Sequence, residues 1–320
     1  MKSGDRVLVT GANGFVGEHV IDFLAATGVE SIATGRALAF RYPRTAVPYY
    51  RCDLFDLPSV VQMFKAVKPT CVVHLASENS VGTAWQNPQK VIHHNVLTTA
   101  HLLEAVICSE PATRVIVVGS AHEYAPPANS TDALPLTEHS PTIPTNPYGW
   151  SKLLQTLVSC DYALQCGVPV TVARTFNLVG PGATNGVCAK IAQSIVQIER
   201  GEAPPELTLG SLRTQRDFLD VRDAVSAYWH LLTQTATPGN IFNVCSGRPV
   251  SLSALVELFR QASKVPFRVV EDPSLYRPDE AEIVYGSAQK LSDFTGWRPT
   301  FSLERSIADV LDYFRTNNRN

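Results

Sequence analysis

The sequence predicts an α/β fold built on a doubly wound parallel sheet, with a smaller α/β lobe in its C-terminal half. Short apolar segments alternate with segments of helical spacing through the first half of the chain. A glycine-rich turn follows the first apolar segment, at 11–17. After Phe176 this alternation stops and loop-like Gly and Pro segments appear, which indicates a second lobe.

Six strands are predicted in the first half, and several of them are apolar throughout. A strand that helices cover on both faces of a parallel sheet has no polar face. The predicted strands are 6–10, 31–34, 49–52, 71–75, 114–118 and 168–175. Helices are predicted from Phe15 onward, over 88–108 and from Tyr148 onward.

The chain has 320 residues, more than one hydrophobic core usually serves, so two domains are predicted. We assign 1–175 to a dinucleotide-binding domain, with a return segment at about 213–245. A substrate lobe would consist of 176–212 and 246–320. In the second half we predict helices at 189–199, 253–263 and 302–314, and strands at 207–209, 241–245 and 267–270.

Composition argues against several classes of partner. The formal net charge is −2 with 18% charged residues, and no long basic run is present, which argues against nucleic acid and anionic membranes. No apolar stretch reaches the roughly 18 residues of a membrane helix. The N-terminus does not resemble a signal peptide. The 7 cysteines lack C-x-x-C spacing, so free thiols in a reducing cytoplasm are expected and no metal site is predicted.

The glycine-rich turn predicts a dinucleotide site. Gly11, Gly14 and Gly17 have the pattern G-x-x-G-x-x-G between a strand and a helix. Glycine allows the backbone to approach a pyrophosphate, and the helix start offers N–H groups and a positive dipole end. The predicted contacts from this turn are Gly11, Asn13, Gly14, Phe15, Val16 and Gly17.

The end of the second strand favours NADP(H) over NAD(H), which remains the alternative. No Asp or Glu occurs from Ser31 to Cys52, whereas Arg36 follows the strand directly. An acid there would bind a ribose 2′-hydroxyl, and an Arg would bind a 2′-phosphate. Asp53 could bond the adenine amine, although a surface acid would look the same. Further predicted cofactor contacts are Leu54, Leu75, Ala76, Ser77, Tyr148 and Lys152, of which Lys152 would bond the nicotinamide ribose.

Tyr148 and Lys152 are the candidate proton-transfer pair. Residues four apart on a helix share a face, so the Lys152 ammonium could favour the phenolate of Tyr148. Such a phenol can give or take a proton beside a carbonyl or alcohol. Ser120 follows the fifth predicted strand, at the sheet edge where α/β proteins bind ligands. With a dinucleotide, this set predicts hydride transfer.

The chain resembles the extended short-chain dehydrogenases/reductases that act on nucleotide-diphosphate sugars and have a Rossmann fold. Its latter half is most similar to GDP-6-deoxy-4-keto-mannose reductases and GDP-mannose 4,6-dehydratases. The motifs that carry the resemblance are 11–17, 74–76, Asn95, Ser120, Tyr148 with Lys152, 174–177, 180–182, 216–221, 243–247, 277–280 and 295–299.

The resemblance implies roles for the matched positions. Ser120, Tyr148 and Lys152 would be the catalytic triad, and Asn95 would support it through water. The nucleotide-sugar ligands would be Asn177, Arg216, Arg277 and Glu280. The planar guanidinium group of arginine can donate paired hydrogen bonds to a diphosphate. A Glu carboxylate could accept hydrogen bonds from ribose hydroxyls. Relatives are commonly dimers, so a homodimer is expected.

One departure from the family pattern bears on the reaction. The dehydratases carry an acid two positions after the triad hydroxyl, whereas here Ala121 and His122 follow Ser120. Glu123 is shifted by one residue and, in an extended segment, would face the other way. His122 is instead expected to line the sugar pocket.

The sequence therefore favours an NADPH-dependent reductase that converts a GDP-4-keto-6-deoxy-hexose to a GDP-deoxysugar of the GDP-rhamnose type. Two alternatives stay open. One is a 4,6-dehydratase or 4-epimerase that recycles bound NAD(P), and the other is a non-catalytic NADP(H)-binding regulator. Neither the nucleotide base nor the C4 stereochemistry follows from these residues.

Overall fold

Seven parallel strands form the central sheet, in a computed structural model that describes residues 5–41, 47–127, 134–234, 238–276 and 281–317. With labels following the chain, they are β1 (Arg6–Thr10), β2 (Glu30–Gly35), β3 (Tyr49–Arg51), β4 (Cys71–His74), β5 (Arg114–Ser120), β6 (Val170–Thr175) and β10 (Asn240–Val244). Their order is β10-β6-β5-β4-β1-β2-β3. The six strands predicted in the first half are confirmed, and the predicted strand at 241–245 supplies the seventh.

Helices cover both faces of this sheet, so the doubly wound fold is confirmed. On one face α1 (Phe15–Ala26) and α7 (Val221–Thr233) bury apolar side chains against the strands. The other face is covered by three helices that also bury apolar side chains against the strands: α2 (Leu57–Val67), α4 (Pro88–Ser109) and α5 (Pro147–Cys166). A short helix, α3 (Val81–Gln86), leads into α4. The sequence reasoning predicted α1, α4 and α5 but did not identify α2 or α7.

The second half also builds two small sheets beside a separate core. Four strands form one sheet: β7 (Asn177–Val179), β9 (Gln215–Asp220), β11 (Pro249–Ser251) and β13 (Ile283–Val284). A two-stranded sheet pairs β8 (Glu206–Leu209) with β12 (Arg268–Glu271). The helices are α6 (Val187–Glu199), α8 (Leu252–Ala262), α9 (Gln289–Thr295) and α10 (Leu303–Asn317). Helices α6, α8 and α10 share a buried apolar cluster of their own.

The two parts meet where β9 runs into α7. Strand β9 belongs to the four-stranded sheet. Helix α7 follows it directly and packs on the central sheet. Asp220 caps α7 by accepting the backbone N–H of Arg222 at 2.8 Å, and Ser306 of α10 donates to its other oxygen at 2.6 Å. This cap fixes the angle at which the chain passes from one part to the other. Across the described ranges, every helix is too short or too polar to cross a bilayer.

Candidate active site

The glycine turn between β1 and α1 has no room for side chains. Gly11 has a φ of 66°, and a Cβ there would lie 2.8 Å from the backbone nitrogen of Ala76. A Cβ on Gly17 would lie 2.5 Å from the carbonyl oxygen of Gly11. Gly14 occupies the N-cap of α1, so no side chain caps the first helical turn. These features fit the pyrophosphate of a dinucleotide, which needs close backbone approach and N–H donors.

The other predicted turn residues hold neighbouring loops in place. Asn13 donates to the carbonyl of Ala39 at 3.2 Å and accepts the N–H of Arg41 at 2.8 Å. It thereby ties the turn to the loop after β2, where Arg36 is exposed. The Phe15 ring packs against Gly182. A Cβ on Gly182 would lie 2.6 Å from that ring. Val16 packs partly buried against the core under α1.

The remaining predicted cofactor residues lie at the carboxyl ends of β3 and β4. Asp53 accepts the N–H of Phe55 at 3.1 Å, and the carbonyl of Leu54 accepts from His101 at 2.9 Å. The backbone N–H groups of Leu75 and Ala76 each donate to Thr10 at 3.2 Å. Ser77 donates to the carbonyl of Glu78 at 3.4 Å. The sheet thus brings Asp53, Leu54, Leu75, Ala76 and Ser77 to the same edge as the glycine turn.

Tyr148 lies in the first turn of α5, with its hydroxyl beside the Ser120 side chain. Asn146 fixes this turn because its side-chain oxygen accepts the N–H of Gly149 at 2.9 Å. Burial raises the pKa of Tyr148 to about 12, and the hydrogen bond with Ser120 acts in the opposite direction. The expected lowering of this pKa by Lys152 is not found, since burial is the largest influence and Lys152 does not contribute to the shift. Tyr148 therefore holds its proton at neutral pH and can act as a donor.

Lys152 is buried one turn further along α5. Its Nζ donates to the carbonyl of Val118 at 2.7 Å and to Oε1 of Gln155 at 2.8 Å. Burial lowers the pKa of Lys152 to about 8, and the charge of Glu123 partly offsets this lowering. Gln155 was not predicted, although it lies three residues after Lys152 on the same helix face, which is a signal that the sequence offered.

Asn95 joins α4 to α5 just below this pair. Its amide nitrogen donates to Ser151 at 2.8 Å and to the carbonyl of Glu78 at 3.0 Å. Its oxygen accepts the N–H of Glu78 at 2.7 Å. The side chain is fully buried, and it positions the residue directly before Lys152. Its water-mediated role in catalysis remains a prediction.

The residues after Ser120 form a 3-10 turn over Ala121–Glu123, so the expectation of an extended segment is wrong. The turn closes because Ser120 accepts the N–H of His122 and Glu123 accepts the N–H of Ser120. Glu123 is completely buried and ion-paired with Arg174 at 2.7 Å, so it faces the sheet. The His122 ring lies 5.5 Å from the Tyr148 ring, close enough to line a pocket there.

The predicted substrate ligands that the structure describes lie in the four-stranded sheet. Asn177 of β7 donates to the backbone carbonyl of Asp217 at 3.0 Å. Arg216 of β9 donates to the carbonyls of Gln215 at 2.7 Å and Glu282 at 3.2 Å. Arg277 and Glu280 lie outside the described residues.

Asp217 is a buried carboxylate beside these ligands that the sequence reasoning missed. Its carboxylate accepts hydrogen bonds from the N–H of Ser246 at 2.8 Å and from the Ser246 hydroxyl at 2.7 Å. It also accepts the N–H of Gly247 at 2.9 Å. Burial raises the pKa of Asp217, and these donors lower it. The side chain joins the strand that carries Arg216 to the loop after β10. Its only signal was an acid within an otherwise buried strand segment.

Comparisons with known proteins agree with this geometry. A family model described as GDP-mannose 4,6 dehydratase matches residues 8–310. A GDP-6-deoxy-D-mannose reductase of Pseudomonas aeruginosa is 33% identical over 308 residues, covering 96% of both chains.

Two solved structures share the fold over nearly the whole chain. RMD from Pseudomonas aeruginosa, complexed with NADPH, has a TM-score of 0.85 and 31% identity over 97% of this chain and 99% of the other. A Thermus thermophilus UDP-glucose 4-epimerase in complex with NAD has a TM-score of 0.85 and 25% identity over 98% and 99%. The chain therefore belongs to the GDP-mannose 4,6 dehydratase family of extended short-chain dehydrogenases/reductases, whose members are NAD(P)-dependent enzymes.

Proposed function

We propose that this enzyme uses NADPH to reduce the C4 ketone of a GDP-4-keto-6-deoxy-hexose, giving a GDP-deoxysugar of the GDP-rhamnose type. The observation that carries the proposal is the group around Tyr148. Its hydroxyl meets that of Ser120 above buried Lys152, and Ala121 and His122 stand where an eliminating enzyme needs acids. The similarity to a GDP-6-deoxy-D-mannose reductase supports the same substrate class.

The proposed reaction adds a hydride to C4 and a proton to O4. When bound, the nicotinamide supplies the hydride. Tyr148 donates the proton to O4, which its high pKa of about 12 allows because the phenol is fully protonated at neutral pH. Ser120 donates a hydrogen bond to O4 as negative charge develops there. Lys152 lies one turn after Tyr148 on α5, and its ammonium has the role of stabilising the phenolate that Tyr148 becomes.

Arg36 supports the preference for NADPH. It is exposed directly after β2, on the loop that Asn13 ties to the glycine turn. A guanidinium there suits the 2′-phosphate of NADPH. Comparison of kcat/KM for the two cofactors tests this. We expect NADPH to be favoured at least about tenfold and Arg36→Ala to remove most of the difference. Equal efficiencies in the wild-type protein would contradict the preference.

We assign the substrate lobe to 176–212 and 246–320, and the NADP-binding domain to 1–175 with 213–245. In this assignment Asn177 and Arg216 contact the nucleotide-sugar from the small sheet, together with Arg277 and Glu280. Burial of Asp217 between β9 and the loop at 246–247 supports the placement, because it fixes the strand next to Arg216. The guanine base itself is the part of this proposal that rests on the relatives alone.

A 4-epimerase is the second candidate, because the UDP-glucose 4-epimerase of Thermus thermophilus shares the fold over nearly the whole chain. An epimerase would return its hydride to the sugar and consume no reductant overall. Purified enzyme should therefore be incubated with NADPH and GDP-4-keto-6-deoxy-mannose, with GDP-mannose and UDP-glucose as matched substrates. Absorbance at 340 nm and product NMR are the readouts.

A reductase should oxidise one NADPH for each keto sugar and leave both other sugars unchanged. Conversion of UDP-glucose to an epimer without NADPH loss would establish the epimerase instead. Formation of a keto sugar from GDP-mannose without added reductant would show a dehydratase and would end the reductase proposal.

We also propose a homodimer formed through α5. This helix exposes apolar side chains at spacings that place them on one face. They are Trp150, Leu154, Leu157 and Leu164, with 46%, 40%, 55% and 73% of their surface exposed. Pairing with the same helix of a second copy would bury this stripe around a two-fold axis. Sedimentation should show a dimer for the wild type and a monomer for Leu157→Glu, with Leu275→Glu as an exposed control.

We place the enzyme in the cytoplasm. All seven cysteines are free thiols, and Cys52, Cys71, Cys188 and Cys245 are buried in apolar surroundings. A reducing compartment keeps such thiols from oxidation. Titration of the denatured purified protein with a thiol reagent should count all seven as reduced.

A further inference from the structure

Glu123 is a buried acid next to the candidate triad that the proposed reaction does not use. It is completely buried, and its Oε1 accepts the backbone N–H of Ser120 at 2.8 Å. Its Oε2 accepts from Nε of Arg174 at 2.7 Å. A buried carboxylate is costly unless it is paired, so this arrangement needs a structural reason.

Arg174 holds the carboxylate in one orientation. Its guanidinium lies 4.8 Å from the centre of the Tyr124 ring, and Tyr124 in turn donates to Asn243 at 2.7 Å. Arg174 itself lies on β6, next to β5, in register with Gly119. The carboxylate is therefore fixed by two neighbouring strands of the central sheet rather than by the turn alone.

Gly119 shows how closely the carboxylate fits. A Cβ at this position would lie 2.5 Å from Oε1 of Glu123 and 3.3 Å from the side chain of Val172. The carboxylate thus occupies the space directly under the backbone that leads into Ser120. Any shift of Glu123 changes the end of β5, where the Ser120 hydroxyl begins.

We propose that Glu123, held by Arg174, is a positioning residue that fixes Ser120 for its hydrogen bond to the substrate oxygen. Its carboxylate holds the Ser120 amide, and the Ser120 hydroxyl accepts the N–H of His122 at 3.2 Å. These two bonds orient the remaining hydroxyl proton toward Tyr148 and the substrate. The inference rests on the proposed reduction, since it concerns the same triad. A displacement of a catalytic group by about 1 Å is enough to slow a reaction about a hundredfold.

Two double variants separate this role from general stabilisation. Glu123→Gln with Arg174→Gln removes both charges but keeps an oxygen that can accept the Ser120 N–H. Glu123→Met with Arg174→Met also removes both charges but leaves that N–H without an acceptor. We expect the Met pair to have a kcat at least about tenfold below the Gln pair, with KM and the NADPH Kd within about threefold. Equal kcat values in the two folded pairs would overturn the proposal.

Gly119→Ala provides a second route if the Met pair does not fold. It keeps both charged side chains, but its Cβ would displace the Glu123 carboxylate. We expect kcat to fall at least about tenfold with little change in KM, whereas an unchanged kcat would overturn the proposal. Thr113→Val is the control, because it removes a buried hydroxyl that donates to the carbonyl of Pro69, at the opposite end of β5 from Ser120. Its kcat should equal that of the wild type.

Amide hydrogen exchange at Ser120 gives a readout that does not depend on turnover. The Ser120 N–H should exchange slowly in the wild type and the Gln pair, and clearly faster in Gly119→Ala and the Met pair. Equal exchange in all four proteins would show that Glu123 does not hold this amide. If the wild type fails to oxidise NADPH with the keto sugar, the proposed reaction is wrong, and this exchange measurement still decides the role of Glu123.

Discussion

Burial sets the protonation of the two groups that carry the proposed proton transfer. Tyr148 and Lys152 are 8% and 3% exposed, and both are shifted toward their neutral forms. For the phenol this raises the pKa, and for the ammonium it lowers the pKa. Tyr148 therefore holds its proton before substrate arrives, and Lys152 keeps its charge below about pH 8, which suits reduction of a ketone.

Tyr148→Phe should lower kcat by about 10²- to 10⁴-fold because the ketone oxygen loses its proton donor. The NADPH Kd should stay within a few-fold of the wild-type value, since the ring and its packing are kept. Stopped-flow absorbance and cofactor fluorescence measure the two quantities. Full turnover in this variant would remove Tyr148 from the mechanism.

Turnover should also fall as the pH rises above about 8, because Lys152 then loses the proton that stabilises the Tyr148 phenolate. Below that pH the ammonium is present and this limb of the profile is flat. The pH dependence of kcat measures it. Lys152→Arg should remove the limb, since Arg stays charged, and an unchanged limb in that variant would assign it to another group.

At the scale of elements, the two ends of α1 use glycine for different reasons. Gly17 lies within the helix, where a Cβ would lie 2.5 Å from the carbonyl oxygen of Gly11, so only glycine lets the turn pack there. Gly28 follows the helix with a φ of 69° and has open space around its missing Cβ. Close approach explains the first glycine, and backbone conformation alone explains the second.

Gly17→Ala should therefore weaken NADPH binding at least about tenfold, because the turn and the helix start must separate. Gly28→Ala should cost about 1 kcal/mol of stability through strain and leave NADPH binding unchanged. Calorimetry of cofactor binding and thermal unfolding of both variants measure these effects. Equal losses of NADPH affinity in the two variants would contradict the assignment of the phosphate site to this turn.

At the scale of the whole molecule, His74 connects the sheet to the helix layer that carries the site. Its Nδ1 lies 2.8 Å from the Thr10 hydroxyl and its Nε2 lies 2.9 Å from that of Thr99. Thr10 already accepts two backbone N–H groups, so its one proton is available to Nδ1. Thr99 donates to the carbonyl of Asn95 at 2.8 Å, so it accepts from Nε2. Both contacts fit a neutral ring that links β1, β4 and α4, so His74 has a structural role.

This arrangement predicts acid sensitivity. Burial lowers the pKa of His74 to about 3, whereas the unfolded chain binds this proton near the ordinary value of 6.5. The unfolded state therefore gains protons first as pH falls, and stability is lost progressively below about pH 6.5. His74→Gln should reduce the loss of unfolding free energy between pH 7 and 5 by about 2 kcal/mol.

Denaturant unfolding at several pH values measures this effect. The exposed His139→Gln variant is the matched control, and its pH dependence should equal that of the wild type. An unchanged slope in His74→Gln would show that other groups dominate the acid response.

The sequence alone identifies the sheet, the glycine turn and the Tyr148–Lys152 pair. These depend on local periodicity and on residue types whose chemistry is fixed along a few neighbouring positions. It did not reveal α2 or α7, or that the residues after Ser120 turn rather than extend. In that turn Glu123 pairs with Arg174, 51 residues further along the chain.

The buried contacts and the protonation that follows from them depend on the folded structure. The pKa of Tyr148 depends on how completely the surrounding elements exclude water, and Asp217 is defined by donors from two separate loops. Such effects arise from groups that are distant in sequence and meet only when the chain folds. Burial therefore sets the pKa of Tyr148, because a phenolate away from water is unfavourable and the Lys152 ammonium is bound by Val118 and Gln155 instead.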